Sequence, residues 1–427
     1  MSNKKLGFGL MRLPLLDEND KGSIDIEHTK KMVDEFIARG FTYFDTAWMY
    51  CKFRSENATK EALVDRYPRD KFTLASKLHS AFFNTLEERD TIFNEQRKKT
   101  GVDYFDYYLI HDINKESYEK YEEMDCFNWI IEKKKQGLVK KIGFSFHATA
   151  DLLDTILTKH PEMEFVQLQI NYLDWESDVV QSRKCYEVAV KHGKPVVVMV
   201  TVRGGRLAQV PEEVEKMFKE CNPEMSMPSW AIRFAASLDN VFMVLSGMSN
   251  MEQLLDNTGY MMDFKPLSEK ELEVVYKAAD MIRTYNRVPC TGCAYCLDGC
   301  PAAIKIPEYF EIYNADIRGE DGQRDKYTQL RDTASKASDC MECGQCESIC
   351  PQHIHIIDEL KNLVTHFERL MGGMSMRNHE VTKDQNLLNA KGNIAEAGYA
   401  KSLIWKYNRN QIKAPKFRIK EWDYYLV

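Results

Sequence analysis

The sequence is organised around the stretch Cys290-Thr-Gly-Cys293-Ala-Tyr-Cys296-Leu-Asp-Gly-Cys300-Pro301. The same spacing returns once, from Cys340 to Pro351. Each copy is the bacterial [4Fe–4S] ligand pattern, because soft, anionic thiolates bind iron strongly. The first three cysteines of a copy reach one cluster, and the fourth, held by the proline-terminated turn, reaches the other. One predicted ligand set is therefore Cys290, Cys293, Cys296 and Cys350, and the other is Cys340, Cys343, Cys346 and Cys300.

Two other uses of these cysteines fit the pattern less well. Disulfides would require an oxidising compartment, and the N-terminus lacks the apolar segment of a secretory signal. Zinc needs about four ligands per site, which CxxC pairs alone could supply. Zinc leaves the third cysteine and the trailing Cys-Pro, both repeated, without an explanation. The pattern thus favours two [4Fe–4S] clusters, and whether these carry electrons or only hold the fold stays open.

Composition limits the remaining classes of protein. The chain has 427 residues, of which 44% are hydrophobic and 29% charged, so it can form more than one domain with a large core. We expect a cytoplasmic protein without a membrane helix, since no apolar run approaches the ~18 residues that one needs. The net charge of −7 gives no case for nucleic-acid binding. Two low-potential clusters suggest an anaerobe.

The first 265 residues alternate short β-rich runs with longer amphipathic segments. Such alternation predicts a parallel sheet, and eight units predict an α/β fold of the (β/α)8 TIM-barrel type. A doubly wound sheet would place a helix after the first glycine-rich strand, where this chain has Arg-Leu-Pro. The predicted strands are Leu6–Met11, Phe41–Asp45, Phe72–Ser76, Phe105–Ile110, Val139–Phe144, Phe165–Ile170, Pro195–Val200 and Val241–Leu245. The predicted helices include His28–Arg39, Leu86–Lys99, Tyr121–Gln136 and Cys185–His192.

Polar residues stand where the predicted strands end, which is the face of a barrel that carries chemistry. Asp45 ends strand two, and Tyr50 follows in its loop. Strands three, four and five are predicted to end at Lys77, His111 and Ser145. Along strand six, Gln167, Gln169 and Asn171 alternate with apolar residues, so a period of two puts the three on one face, toward a ligand.

These motifs, in this order, resemble the aldo-keto reductase family over roughly residues 5–275. The segments that carry the resemblance are Leu6-Gly-Phe-Gly-Leu-Met-Arg-Leu-Pro14, Phe44-Asp45-Thr46-Ala47-x-x-Tyr50, Ser76-Lys77, Leu109-Ile-His111-Asp112, Ile142-Gly-Phe-Ser145 and Leu245-Ser-Gly-Met-Ser249. The whole chain is similar to the branch of that family with a C-terminal ferredoxin-like extension. The resemblance implies a catalytic tetrad of Asp45, Tyr50, Lys77 and His111.

Carbonyl reduction explains why these residue types belong together. Tyr50 would act as general acid, and a cation at Lys77 would lower its pKa from about 10. Asp45 would hold Lys77, and His111 would orient the carbonyl oxygen. Trp48 would form a wall of the pocket. His147 fits a pocket residue and a structural loop residue equally well.

The resemblance also implies a nicotinamide dinucleotide, NADH or NADPH. The residues predicted to bind it are Ser145, Gln167, Asn171, Arg203, Gly204, Arg206, Ser246, Gly247 and Asn257. NADPH-specific members carry cationic residues that grip the 2′-phosphate, where this chain has Gly247, Met248 and Gln253. We therefore expect NADH at least as strongly as NADPH. A flavin in the same barrel mouth is an alternative.

Three segments follow from these assignments: a barrel over residues 1–285, a ferredoxin-like domain over 286–370 and a C-terminal tail over 371–427. Helical segments predicted between the cysteine motifs, at Ile306–Asn314 and Asp325–Ala337, favour a mainly helical dicluster domain. A further helix is predicted from Asp358 to Leu370. The tail is basic and aromatic-rich, and we expect it to pack on the acidic body or on a sister subunit rather than on nucleic acid.

Two hypotheses for the whole protein remain open at this stage. In the first, an iron–sulfur oxidoreductase interconverts a carbonyl and an alcohol while its clusters relay electrons, with a small-molecule substrate and a ferredoxin or another redox protein as partners. In the second, a non-catalytic electron-transfer or docking subunit uses the barrel only to sense nucleotide. The intact tetrad favours the first, because a scaffold has no need of these four side chains.

Overall fold

The computed structural model describes residues 4–18, 20–285, 287–317 and 322–367, and these residues fall into two compact units divided at Arg283. In the N-terminal unit, eight parallel strands pair in chain order and close into a barrel, with β1 bonded to β8. The fold class is therefore the predicted TIM barrel. The strands are β1 (Leu6–Gly9), β2 (Tyr43–Asp45), β3 (Thr73–His79), β4 (Phe105–Ile113), β5 (Val139–Phe146), β6 (Phe165–Gln169), β7 (Val196–Met199) and β8 (Val241–Gly247).

Helices and short turns connect the strands of this unit. No helix in the described parts of the chain has both the length and the apolar character needed to cross a membrane. The helices of the N-terminal unit are Ile26–Ala38, Ser55–Thr59 with a π turn at Lys60–Val64, Leu86–Thr100, Lys115–Glu123, Cys126–Lys135, Ala150–Lys159, Ser182–Lys191, Glu212–Cys221, Met227–Ala236, Met251–Met262 and Glu269–Tyr285.

Alternation along each strand separates two cores. Side chains of one parity, such as Leu74, Ile110 and Val166, pack against the helices. Those of the other parity, including Leu109 and Phe165, fill the barrel interior in a separate apolar cluster. This is the arrangement that a period of two dictates for a closed barrel.

The structure corrects several predicted boundaries. Strand β3 continues to His79, β4 to Ile113 and β5 to Phe146, so Lys77, His111 and Ser145 lie within strands rather than at their ends. The extra residues matter because they carry the strands farther into the mouth of the barrel. The predicted helix Tyr121–Gln136 is two helices, because Asp125 adopts a left-handed conformation between them.

The C-terminal unit is small and mainly helical. Its helices are Tyr295–Asp298, Ile306–Ile317, Gln323–Thr333, Gln345–Ser348 and the segment 356–367. An apolar core joins them, with Tyr327 stacked on Phe367 at 4.4 Å between ring centroids. The end of the predicted helix Asp358–Leu370 and the predicted tail lie outside the described residues.

One glycine in the barrel is required by its neighbour. A Cβ atom at Gly143 would lie 2.4 Å from the Phe165 backbone oxygen on β6, whereas one at Gly9 would have its nearest contact at 3.5 Å. We expect Gly143→Ala to lower the free energy of unfolding by about 3 kcal/mol, because the paired backbone cannot yield. Gly9→Ala is the control and should change it by less than about 0.5 kcal/mol. Denaturant unfolding measures both, and equal effects would contradict the close approach.

Candidate active site

A buried ion pair anchors the site. Lys77 Nζ donates to Asp45 Oδ1 and, at 2.8 Å, to the carbonyl oxygen of Thr46. The Lys77 side chain is fully buried and that of Asp45 is 3% exposed. Because β2 and β3 are neighbours, Asp45 pairs with Ala75 in register, and Lys77 follows two residues later on the same face. The predicted Asp45–Lys77 contact is thus present.

Tyr50 and His111 complete the predicted tetrad. Lys77 Nζ lies 4.9 Å from the centroid of the Tyr50 ring. The rings of Tyr50 and His111 meet edge to face at 5.9 Å. The structure therefore brings all four predicted catalytic residues together at the carboxyl-terminal mouth of the barrel, which is where barrel enzymes carry their chemistry.

Burial sets the protonation of these groups. Burial raises the pKa of Tyr50 well above its ordinary value, with the Asp45 carboxylate as the next cause. This direction is opposite to the lowering that the sequence led us to expect from Lys77. Burial, together with His79 and Lys77, lowers the pKa of His111 well below its ordinary value. Tyr50 is therefore a protonated phenol and His111 a neutral imidazole near neutral pH.

A bulge in β4 adds polar residues that the sequence reasoning missed. Between Ile110 and Ile113, β4 has one more residue than its partner β5, and Asp112 adopts a φ of 54°. Parallel bulges re-aim side chains, and this one sets the Asp112 carboxylate 3.5 Å from His79 Nε2 and 3.6 Å from His147 Nε2. Burial opposes ionisation of Asp112, but His147 and His79 hold its pKa well below the usual range.

Of these three residues, only His147 was a candidate from the sequence. The missed signal for His79 was its spacing, because it stands two residues beyond Lys77 and shares its face of β3. His79 Nδ1 accepts from the Ala81 backbone N–H at 3.1 Å, which leaves the proton on Nε2, toward Asp112. Asp112 had no such signal, because a regular strand would have turned its side chain toward the helices.

The backbone after Tyr50 is unusual. Cys51, Lys52 and Phe53 have φ values of 50°, 50° and 65°, which we call the left-handed turn. Successive left-handed residues other than glycine are rare, since each costs about 1–2 kcal/mol. A turn of this kind persists only where its surroundings over-determine it.

Two residues of the predicted nucleotide site lie side by side and suit a nicotinamide amide. Ser145 on β5 pairs in register with Gln167 on β6. Gln167 Oε1 is buried without a hydrogen-bond partner among the described residues, so it can accept from an amide N–H. Ser145 Oγ accepts from the Asp112 backbone N–H at 2.8 Å and keeps its own proton for an amide oxygen. The Gln167 amide nitrogen contacts Met199 Sδ at 3.3 Å.

The loop after β7 is built around a second buried ion pair. Arg203 Nε donates to both Asp174 oxygens, at 3.1 and 2.9 Å, and Asn171 Nδ2 donates to Asp174 Oδ2 at 2.8 Å. Gly204, which stands two residues before Arg206 in the sequence, has a φ of 69°. Arg203 and Asn171 therefore brace this loop in the structure, and their contact with a nucleotide stays a prediction, as does that of Arg206.

The residues predicted after β8 are also linked to one another. Asn257 Nδ2 donates to Ser246 Oγ at 3.0 Å, and Tyr260 donates to Asn257 Oδ1 at 2.6 Å. Gly247 is exposed at the end of β8, and Asn250 caps the helix that follows by accepting from the Gln253 N–H. These predicted residues therefore lie together in the structure, and their contact with a nucleotide stays a prediction.

Cysteines of both motifs lie near one another in the C-terminal unit. Cys300, Cys340, Cys343 and Cys346 line one cavity. Burial raises the pKa of the Cys350 thiol, and Cys293 and Cys290 lie near enough to raise it further. The Ile304 N–H donates to Cys300 Sγ at 3.5 Å, and such bonds to sulfur tune a cluster. Each of these neighbourhoods joins cysteines of both motifs, as crossed ligation predicts, and the assignment of the eight thiols to two clusters stays a prediction.

Oxidoreductase is the class of protein that comparison with known families indicates. A model of the aldo/keto reductase family matches residues 5–280, and the chain belongs to that family. A model of a 4Fe-4S dicluster domain matches residues 288–354, which makes the protein an iron–sulfur oxidoreductase. A domain of unknown function, DUF2804, matches residues 378–427, which lie outside the described part of the chain.

Similar proteins support the family but differ in sequence. An aldo-keto reductase from Mycobacterium avium is 28% identical over 237 residues, which is 54% of this chain and 75% of that protein. An aldo-keto reductase from Bacillus halodurans, solved in its holo form, is 22% identical and has a TM-score of 0.52 over 64% of this chain and 91% of its own. One from Klebsiella pneumoniae, in complex with NADP and acetate, is 16% identical with a TM-score of 0.52 over 64% of this chain and 90% of its own.

The strain in the left-handed turn can be measured at Lys52. Lys52→Gly should be about 1 kcal/mol more stable than Lys52→Ala, because both lose the surface contact with Asp20 but only glycine tolerates positive φ. At exposed Lys31, within a regular helix, the alanine variant should instead be more stable than the glycine variant. Denaturant unfolding compares the four variants. Equal stability of the two Lys52 variants would contradict a strained turn.

If ligation is crossed, it predicts which of the two clusters is lost when a given cysteine is replaced. Cys300→Ser should leave the set of Cys290 intact and destroy the set of Cys340, lowering iron from about eight to about four atoms per chain. Cys185→Ser, which removes a buried thiol of the barrel, should leave iron unchanged. Iron analysis of anaerobically purified protein measures the loss. Cys300 and Cys343 belong to the same predicted ligand set, so adding Cys343→Ser to Cys300→Ser should cause no further loss of iron. A further loss in the double variant would contradict crossed ligation.

Proposed function

We propose that this protein reduces a carbonyl compound to the alcohol, or runs the reverse reaction, at the mouth of its barrel, with Tyr50 as the general acid. The observation that carries the proposal is the tetrad, in which the Tyr50 ring lies 4.9 Å from Lys77 Nζ of the buried Lys77–Asp45 pair and 5.9 Å from the His111 ring. A solvated or structural role for each residue alone would not require this grouping.

The chain's own residues supply acid and orientation. A neutral His111 can donate a hydrogen bond to the substrate carbonyl without giving up a proton. Tyr50 then transfers its proton to the oxygen as negative charge develops there, and Lys77 stabilises the resulting tyrosinate. Burial lowers the pKa of Lys77, and the Asp45 carboxylate opposes that lowering, so Asp45 favours the charged form of Lys77.

Cofactors complete the proposal. A bound NADH or NADPH would supply hydride, and the two [4Fe–4S] clusters would supply single electrons. The unpartnered Gln167 oxygen and the Ser145 hydroxyl would hold the nicotinamide amide. Gly247 and Gln253 in place of cations leave NADH at least as well suited as NADPH, and a flavin stays the alternative occupant. A ferredoxin or another redox protein is the proposed partner for the clusters.

Tyr50→Phe tests the proposal. It should lower kcat for aldehyde reduction by at least about 100-fold and leave KM nearly unchanged, because only the transferable proton is lost. The assay follows NADH or NADPH oxidation by the anaerobic holoprotein with propanal and benzaldehyde. Tyr172→Phe is the control, since it removes the hydroxyl of a fully buried tyrosine, for which the described residues offer no hydrogen-bond partner.

Two outcomes would redirect the proposal. Activity that is unaffected by Tyr50→Phe would exclude the barrel as catalyst and favour the docking-subunit hypothesis. Cluster absorbance that never changes during turnover would remove the electron relay and leave a reductase with structural clusters.

A further inference from the structure

The left-handed turn that follows Tyr50 is fixed from behind. Lys99 Nζ donates to the Phe53 carbonyl oxygen at 2.7 Å. The same nitrogen lies 3.3 Å from the buried Glu56 carboxylate and 4.3 Å from the centroid of the Trp48 ring. One cation thus ties the end of the turn to the buried carboxylate and to the aromatic residue that precedes Tyr50.

The turn places Phe53 in a series of rings that ends at the tetrad. Phe53 meets Trp48 at 6.0 Å and Phe82 at 5.3 Å between centroids, both edge to face. Phe82 lies 5.5 Å from His79, and His79 lies 5.2 Å from His111. We call this series the aromatic arc: Trp48, Phe53, Phe82, His79, His111 and Tyr50.

The backbone conformation and the solvent exposure of Phe53 both carry a cost in the folded barrel. Its backbone is strained, and 41% of the residue is exposed to solvent in spite of its apolar ring. Strain that persists beside a reaction centre is commonly part of how the site works. A ligand that covers the exposed part of such a ring removes apolar surface from water and so gains binding energy.

We propose that Phe53 determines substrate specificity, and that the substrate carries a planar apolar group, aromatic or conjugated, beside its carbonyl. The inference rests on the proposed carbonyl reduction. With the carbonyl between Tyr50 and His111, the rest of the substrate extends along the aromatic arc toward Phe53. Aromatic rings favour a planar partner, which can meet a ring face to edge or offset.

The test compares a planar and a non-planar aldehyde in the anaerobic holoprotein. Phe53→Ala should raise KM for benzaldehyde about fivefold to tenfold, the size of one aromatic contact, and change KM for propanal by less than about twofold. Phe53→Leu keeps apolar volume without a ring, so its KM for benzaldehyde should lie between those of the wild type and Phe53→Ala. Tyr276→Ala removes an aromatic residue of similar exposure, 43%, from an outer helix and should change neither value.

Binding separates this inference from the proposed reaction. If the wild-type protein reduces neither aldehyde, calorimetry of benzaldehyde binding to nucleotide-loaded protein replaces KM. A fivefold loss of affinity in Phe53→Ala would then support the role of Phe53 although the proposed reaction had failed. Equal affinity, or equal changes in KM for the two aldehydes in folded protein, would overturn the inference.

Discussion

The structure of the site depends on the burial of one cation. Lys77 is fully enclosed by the barrel, and an unpaired buried ammonium would cost several kcal/mol. Only Asp45 and the carbonyl oxygen of Thr46 satisfy it among the hydrogen bonds described. The end of β2 and the start of its loop must therefore stay where they are, and Tyr50 is four residues farther along. The position of Tyr50 is thus a consequence of the hydrogen bonds that satisfy Lys77.

The same burial divides the protonation states. The interior of the barrel is filled by apolar side chains below the site, so charge at the mouth is screened weakly. One cation balanced by one carboxylate is stable there, and a second cation beside Lys77 is not. His111 is consequently neutral, while Asp112, which is 30% exposed, can stay ionised between His79 and His147. In the proposed reaction, electrostatics therefore makes Tyr50 the proton donor and His111 the hydrogen-bond donor.

Much of this arrangement could be predicted from the sequence, because it follows from strand periodicity. All eight strands were found, and Lys77 and His111 point inward because they share parity with core residues such as Leu109. The bulge at Asp112 and the left-handed turn could not be predicted, since neither residue type demands them. Both arise from contacts between residues distant in sequence, as when the Asp112 N–H donates to Ser145 Oγ. The pKa of Tyr50 was expected in the wrong direction because burial outweighs the neighbouring cation.

Positive φ falls on different types of residue in different turns of the barrel. At the turns that lead into β4 and β7, positive φ falls on Gly101 and Gly193, which adopt it without steric cost. At the opposite end, positive φ falls on Asp112, on the left-handed turn and on Val200, a β-branched residue for which it is a genuine outlier. If stability alone had shaped these loops, glycine would serve equally well at both ends. Asp112 shows what such a residue can contribute, because its carboxylate lies 3.5 Å from His79 Nε2 and 3.6 Å from His147 Nε2, and this contact offsets the cost of its backbone.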